Sequence, residues 1–296
     1  MRRTAITTAI TLAGVLAPAA GASQLIDRDA RGVRLEVNRQ GTALLTYRVR
    51  GRLRHVLARG AVNAIAPSRN RPEVAFRLDY SGGWGTYRRD IWKTFRNACK
   101  PASPRLHWLV TACRAANGSY WAVQAWQREL PNYGVSPTPA QDAWELRLSH
   151  WTGELPVLTV RFGWAYRRYQ QLYGRYTYLG LPVHGFRSTS SGQPLDTFGR
   201  NVYVDTLNSA YGPGWRRENS FLTHDVTGGF CYGFYPHGSF PVGSGTRVRA
   251  TVIGPGVVPD LYWEGAPPSV YDRDFDLLAN ADEASLLAGD PRCRPV

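Results

Sequence analysis

Two segments of this chain gather side chains suited to recognising sugars and anions. One reads Tyr80-Ser81-Gly82-Gly83-Trp84-Gly85-Thr86-Tyr87-Arg88-Arg89-Asp90; the other reads Asn208-Ser209-Ala210-Tyr211-Gly212-Pro213-Gly214-Trp215-Arg216-Arg217-Glu218. Each sets a tryptophan on a glycine turn, with a tyrosine nearby and an Arg-Arg-acid triplet just after. Glycine lets backbone approach a ligand closely, and tryptophan and tyrosine offer flat apolar faces with a polar handle. Arginine forks onto carboxylates. Trp84, Tyr87, Arg88, Arg89, Tyr211, Trp215, Arg216 and Arg217 are therefore the candidate ligand-binding residues. The same rings would also serve to plug the ends of a β-sandwich.

A second set could do acid–base work. His184, Asp205, His224, Asp225 and His237 would make a hydrolase or lyase site if their loops converge. Other reactive arrangements are missing. There is no G-x-S-x-G elbow for a serine nucleophile, and neither H-E-x-x-H nor paired cysteines for zinc. No metal and no cofactor is expected. Asp272, Asp274, Asp276, Asn280 and Glu283 fall on positions 1, 3, 5, 9 and 12 of a calcium loop, but Leu277 stands where that loop needs glycine. His150 keeps register with Trp144, Leu146 and Leu148, as a hydrogen-bonded core or interface histidine would. His184-Gly185 upstream of Cys231 is similar to the L,D-transpeptidases. Those enzymes carry a serine and glycine before the cysteine and an arginine soon after it, and Phe230-Cys231-Tyr232 supplies neither.

Composition restricts the setting. Arg2 and Arg3 precede an apolar stretch that ends at Ala20-Gly21-Ala22, the pattern of a signal peptide over 1–22 with cleavage before Ser23. Export would make the four cysteines disulfides. Cys99 with Cys113 closes a short loop, and Cys231 with Cys293 would tie down the tail. The formal charge is +14, with 36 basic residues of which only Lys93 and Lys100 are lysine. A secreted cation attracts polyanions, so the expected partner is an extracellular polysaccharide or an anionic cell-wall polymer. Nucleic acid fits the charge but not export. Non-catalytic binding is thus the first expectation, and an extracellular hydrolase or lyase the alternative.

Most of the positioning elements read as strands. Val33, Leu35 and Val37, then Leu45, Tyr47 and Val49, then Leu53, His55 and Leu57 alternate with polar residues between glycine turns, predicting a three-stranded meander. Short β-branched or aromatic runs continue to Trp263. Helix is predicted at 272–288, where Leu277, Ala281, Ala284 and Leu287 share one face before Gly289. Shorter helical spacings occur at Arg89–Arg96 and at Tyr166, Tyr169 and Tyr173. The expected fold is mainly β: a single domain over 23–296, an antiparallel sandwich-like body of two packed sheets with a short C-terminal α-helix docked on its basic surface.

Overall fold

The computed structural model describes residues 23–62, 75–128, 130, 141, 143–167, 169–178, 180–182, 202–209, 212–217, 222–224, 229–233, 245–252, 258–267 and 271–286. The expected signal segment lies outside them. Strand β1 (Gln24–Arg28) precedes the meander β2 (Arg31–Val37), β3 (Ala43–Val49) and β4 (Arg52–Gly60), whose strands pair antiparallel in chain order. Asn38 closes the first turn by accepting the Thr42 backbone N–H on its side-chain oxygen at 2.9 Å. Arg50 and Gly51, both left-handed at φ 48° and 77°, close the second, as a two-residue hairpin requires. Strand β5 (Phe76–Asp79) adds to β4. A single helical turn, α1 (Trp84–Tyr87), and a 3-10 turn at Ile91–Lys93 follow. That turn is the whole helical content of Arg89–Arg96.

Next come β6 (Lys100–Pro101), β7 (Leu109–Arg114), β8 (Tyr120–Trp126) and β9 (Glu145–Trp151). They form a sheet of order β1-β9-β8-β7-β6. A third sheet contains β10 (Val157–Ala165), β11 (Tyr169–Tyr178) and β12 (Leu181–Pro182). A fourth is built on β13 (Val202–Ser209) and β14 (Gly212–Arg217). Strands β15 (Leu222–His224) and β16 (Gly229–Gly233) return to the third sheet, while β17 (Arg247–Val252) and β18 (Leu261–Gly265) complete the fourth. Tyr169 and Tyr173, expected on a helix, lie in β11. The turn before it holds Tyr166 and Arg167 at positive φ, so the chain reverses there and pairs with β10 instead.

As expected, the body is mainly β, antiparallel and sandwich-like with a C-terminal helix; among the described residues it has four sheets rather than two, and the β8 and β9 strands of the β1-β9-β8-β7-β6 sheet are buried on both faces. Its Trp121, Val123, Leu146 and Leu148 pack on Val37, Leu45, Tyr47 and Val56 of the meander. Ala122 and Trp151 point the opposite way, because successive strand residues alternate, and pack with Leu172, Phe230, Val204 and Val248 of the other two sheets. Every residue of β9 is buried, Glu145, Arg147, Ser149 and His150 included. Polar residues in strand alternation read as a wet face. Here they are paired inside instead, which is why the sequence predicts one sheet interface too few.

Helix α2 (Arg273–Leu286) sits where helix was expected, but turned about its axis. Its buried residues are Asp276, Ala279 and Glu283, whereas Leu277, Ala281 and Ala284 of the predicted apolar stripe are exposed. The partners on the third sheet are polar. Asp282 pairs with Arg161 and accepts the Tyr173 hydroxyl at 2.8 Å, Gln171 donates to Glu283, and Arg175 donates to the Leu286 carbonyl. Of the would-be calcium ligands, Asp272 thus precedes the helix and accepts the Phe275 N–H, and the other four are spread along it, Asp276 and Glu283 facing inward.

Candidate functional site

The first aromatic segment folds into a tight knob at the end of β5. Gly82 and Gly83 are left-handed at φ 65° and 95°, and a Cβ on Gly82 would stand 2.7 Å from the His55 Cβ. A Cβ on Gly83 would collide with Ile91. Below the turn, His55 and Trp92 stack at 4.6 Å with planes 3° apart. Ser81 donates to Asp79 and accepts the Gly85 N–H at 3.0 Å. With the glycines pressed onto that stack, Trp84 is left 62% exposed, and Tyr80 beside it is also exposed.

Next to the knob runs a groove of 620 Å³ whose walls include Arg59, Arg77, Asp79 and Tyr87. Arg59 lies with its guanidinium 4.6 Å from the centre of the Tyr87 ring. The register of β4 and β5 sets Arg59 directly opposite Arg77, and like charges so placed repel. Neither arginine forms an ion pair among the described residues. The Tyr87 hydroxyl is buried and has no hydrogen-bond partner there. Arg88 and Arg89 are exposed, but Arg89 lines a different groove, beside Asn38 and Arg39.

The second segment is built differently. Strands β14 and β17 flank β13 and set Arg217 and Arg249 on either side of Asp205. The Asp205 carboxylate is wholly buried, and its two oxygens accept the Nε–H of Arg217 at 2.9 Å and of Arg249 at 2.8 Å. Arg217 also donates to the Arg128 carbonyl and lies 4.2 Å over Tyr203. Arg249 covers the half-buried Trp215 ring at 4.3 Å. These side chains satisfy one another in a closed stack. The resemblance between the two segments in sequence is therefore not matched in structure: Trp84 stands free and Trp215 lies beneath a guanidinium. They also hang on sheets packed against opposite faces of the β1-β9-β8-β7-β6 sheet. Arg216 is half-buried, and Tyr211 lies outside the described residues.

Of the acid–base set, Asp205 is thus committed to two guanidiniums, and His224 takes its place in β15 opposite Phe230. His184, Asp225 and His237 lie outside the described residues. Cys99 and Cys113 are bonded as expected. Cys231 is disulfide-bonded too, which removes it as a nucleophile, and its expected partner, Cys293, lies outside the described residues.

No family model, curated protein or solved structure matches the chain.

Two polar constellations were not read from the sequence, apart from the expected hydrogen-bonded role of His150. Ser119 Oγ lies 2.8 Å from His150 Nε2, and His150 Nδ1 lies 3.1 Å from the Gly60 carbonyl. A serine against a histidine can make a nucleophile and base. Here both are buried between sheets, a carbonyl stands where an acid would orient the ring, and burial lowers the His150 pKa to about 4. The pair fits a structural role, consistent with a hydrogen-bonded core histidine. Elsewhere, buried Asp260 accepts from Ser23 Oγ at 2.7 Å and Trp126 Nε1 at 2.9 Å, and its backbone N–H donates to Gln124 Oε1. Arg147 forks onto Glu145 and donates to the Ser23 carbonyl. Burial alone would raise the Glu145 pKa; the charges of Arg147, Arg128 and Arg28 hold it below its ordinary value. The partners of Asp260, and the Ser23 carbonyl that meets Arg147, lie more than 100 residues away and left no spacing to detect.

Proposed function

We propose that this chain is an exported, non-catalytic binding protein for an acidic extracellular glycan or anionic envelope polymer, engaged at the Trp84 knob and the Arg59–Arg77 groove. The observation that carries this reading is the exposed Trp84 ring beside two opposed guanidiniums that form no ion pair among the described residues. A sugar ring stacks on the indole, and an acidic substituent in the groove relieves the repulsion between Arg59 and Arg77. Tyr87 beneath Arg59 holds one guanidinium in place. A disulfide, together with the lack of any described helix long and apolar enough to cross a membrane, is compatible with export. The alternative, a hydrolase or lyase, draws no support from Asp205, whose oxygens are both engaged.

The test is retention on an immobilised acidic polysaccharide, eluted with a salt gradient. Wild-type protein should be retained at low ionic strength and released as salt screens the charges. Trp84→Ala and the double variant Arg59→Gln/Arg77→Gln should elute much earlier, with unchanged melting temperatures because all three side chains are exposed. Elution of both variants at the wild-type position would refute the reading.

A further inference from the structure

A second cationic groove lies on another sheet. The Cys99–Cys113 disulfide clamps the two-residue strand β6 onto β7, and the resulting register sets Lys100 opposite Arg114. In the next ladder Arg114 is opposite Tyr120, and in the one after it Tyr120 is opposite Trp151. Directly opposed residues share a face of the sheet. Lys100, Arg114, Tyr120 and Trp151 therefore form a single row across four strands, two cations followed by two rings. At about 4.8 Å between strands the row spans about 14 Å.

The row is well fixed. Tyr120 and Trp151 stack at 5.5 Å with planes 21° apart, and the Arg114 guanidinium lies 5.7 Å from the Tyr120 ring centre. Trp151 is buried beneath the third and fourth sheets, so Tyr120 is backed by the core. A groove of 480 Å³ opens over the row, with Pro101, Ser103, Pro104 and Leu155 among its other walls. That volume lies within the range of small-ligand sites. Lys100 and Arg114 are both exposed, and neither forms an ion pair among the described residues. Two opposed cations repel, so the disulfide maintains a contact that charge alone disfavours. An anion between them would remove that cost.

We infer that this row is a second binding subsite, for one acidic sugar residue, whose carboxylate or sulfate sits between Lys100 and Arg114 and whose ring lies on Tyr120. It shares its ligand class with the proposed function but none of its residues. The two sites lie toward opposite edges of the packed sheets. Strand β2 contacts β7 at one edge, whereas Tyr80 beside the Trp84 knob donates to the Ile26 carbonyl of β1 at the other. A chain with both sites would engage a long polyanion at two points, and linked sites bind more tightly than either alone.

The experiment is calorimetric titration with two probes, an oligogalacturonate and a heparin-derived hexasaccharide. Five proteins are compared: wild type, Trp84→Ala, Lys100→Gln/Arg114→Gln, the variant combining those three changes, and Tyr120→Phe. In the Trp84→Ala background, the Lys100→Gln/Arg114→Gln change should weaken binding of at least one probe tenfold or more. Tyr120→Phe, which keeps the ring, should bind like wild type. Melting temperature separates this from misfolding, because removing both opposed cations relieves their repulsion and should leave it unchanged or raise it. If Trp84→Ala alone has no effect while Lys100→Gln/Arg114→Gln abolishes binding, the knob fails and this subsite stands. If Lys100→Gln/Arg114→Gln leaves the affinity for both probes intact in the Trp84→Ala background, or if wild type binds neither probe, the subsite is overturned.

Discussion

Replacing Glu283 by glutamine should remove this group's own contribution to the pH dependence of stability between 4.5 and about 7, the ordinary pKa of this carboxyl and its value in the folded chain. Glu283 is only 1% exposed on the inner face of α2. Burial is the main cause of its raised pKa, and the neighbouring Asp282 adds to it. The other groups facing it from the third sheet are Gln171, which donates to it, and Tyr173, which bonds Asp282. Asp282 itself is held below its ordinary value, first by the hydrogen bond from Arg161, and stays charged through this window. Because Glu283 holds its proton more tightly folded than unfolded, its contribution is fully present below pH 4.5 and is lost as pH rises through about 7. At about 1.4 kcal/mol for each pH unit separating the two values, the loss is on the order of 3 kcal/mol. Glutamine keeps the shape and an acceptor for Gln171 but never ionises. Urea unfolding of both proteins at pH 4.5 and pH 8 should show the variant gaining about 2–3 kcal/mol on wild type at the higher pH. Hydrogen exchange should place the wild-type loss in α2 first. A stability difference that does not change with pH would refute the inward placement of Glu283.

The buried His150 predicts the opposite slope: its pKa falls from 6.5 to about 4, so stability should decline as pH drops through that interval, by on the order of 3 kcal/mol. Acid melts of wild type and His150→Gln check this, and only the variant should lack that slope. Asp205→Asn leaves Arg217 and Arg249 buried around a neutral amide, which should cost about 3–5 kcal/mol in urea unfolding, whereas retention of the folded protein on polyanion should not change. Replacing Cys99 and Cys113 by alanine opens a loop of sequence separation 14 and should cost about 3 kcal/mol; it should also speed hydrogen exchange in β6 relative to β2–β4.

Local chemistry made part of this architecture legible. The β2–β4 meander could be read because its apolar residues alternate between glycine turns. The position of α2 could be read from its acidic first turn and Gly289, and the Cys99–Cys113 bond from its short span. The orientation of α2 could not, because Arg161, Gln171 and Arg175 attract its acidic edge from a distant sheet and leave Leu277 outside. The double-sided burial of β8 and β9 was hidden for the same reason: Gln124 is satisfied by Asp260, 136 residues away. In the candidate sites, the turn that carries Trp84 was legible from its glycines, but the exposure of its ring was not. The opposed pairs Arg59–Arg77 and Lys100–Arg114 were not, since they exist only once strand register is fixed. Trp215 shows the converse, a motif alike in sequence that Arg249 closes over in space.

The most direct test follows the indole N–H resonance of Trp84, assigned by its disappearance in Trp84→Ala, through a titration with an oligogalacturonate at low salt. The resonance should move along a saturating curve while that of Trp215, shielded by Arg249, stays in place. A Trp84 signal that stays still at saturating sugar would contradict binding at the knob.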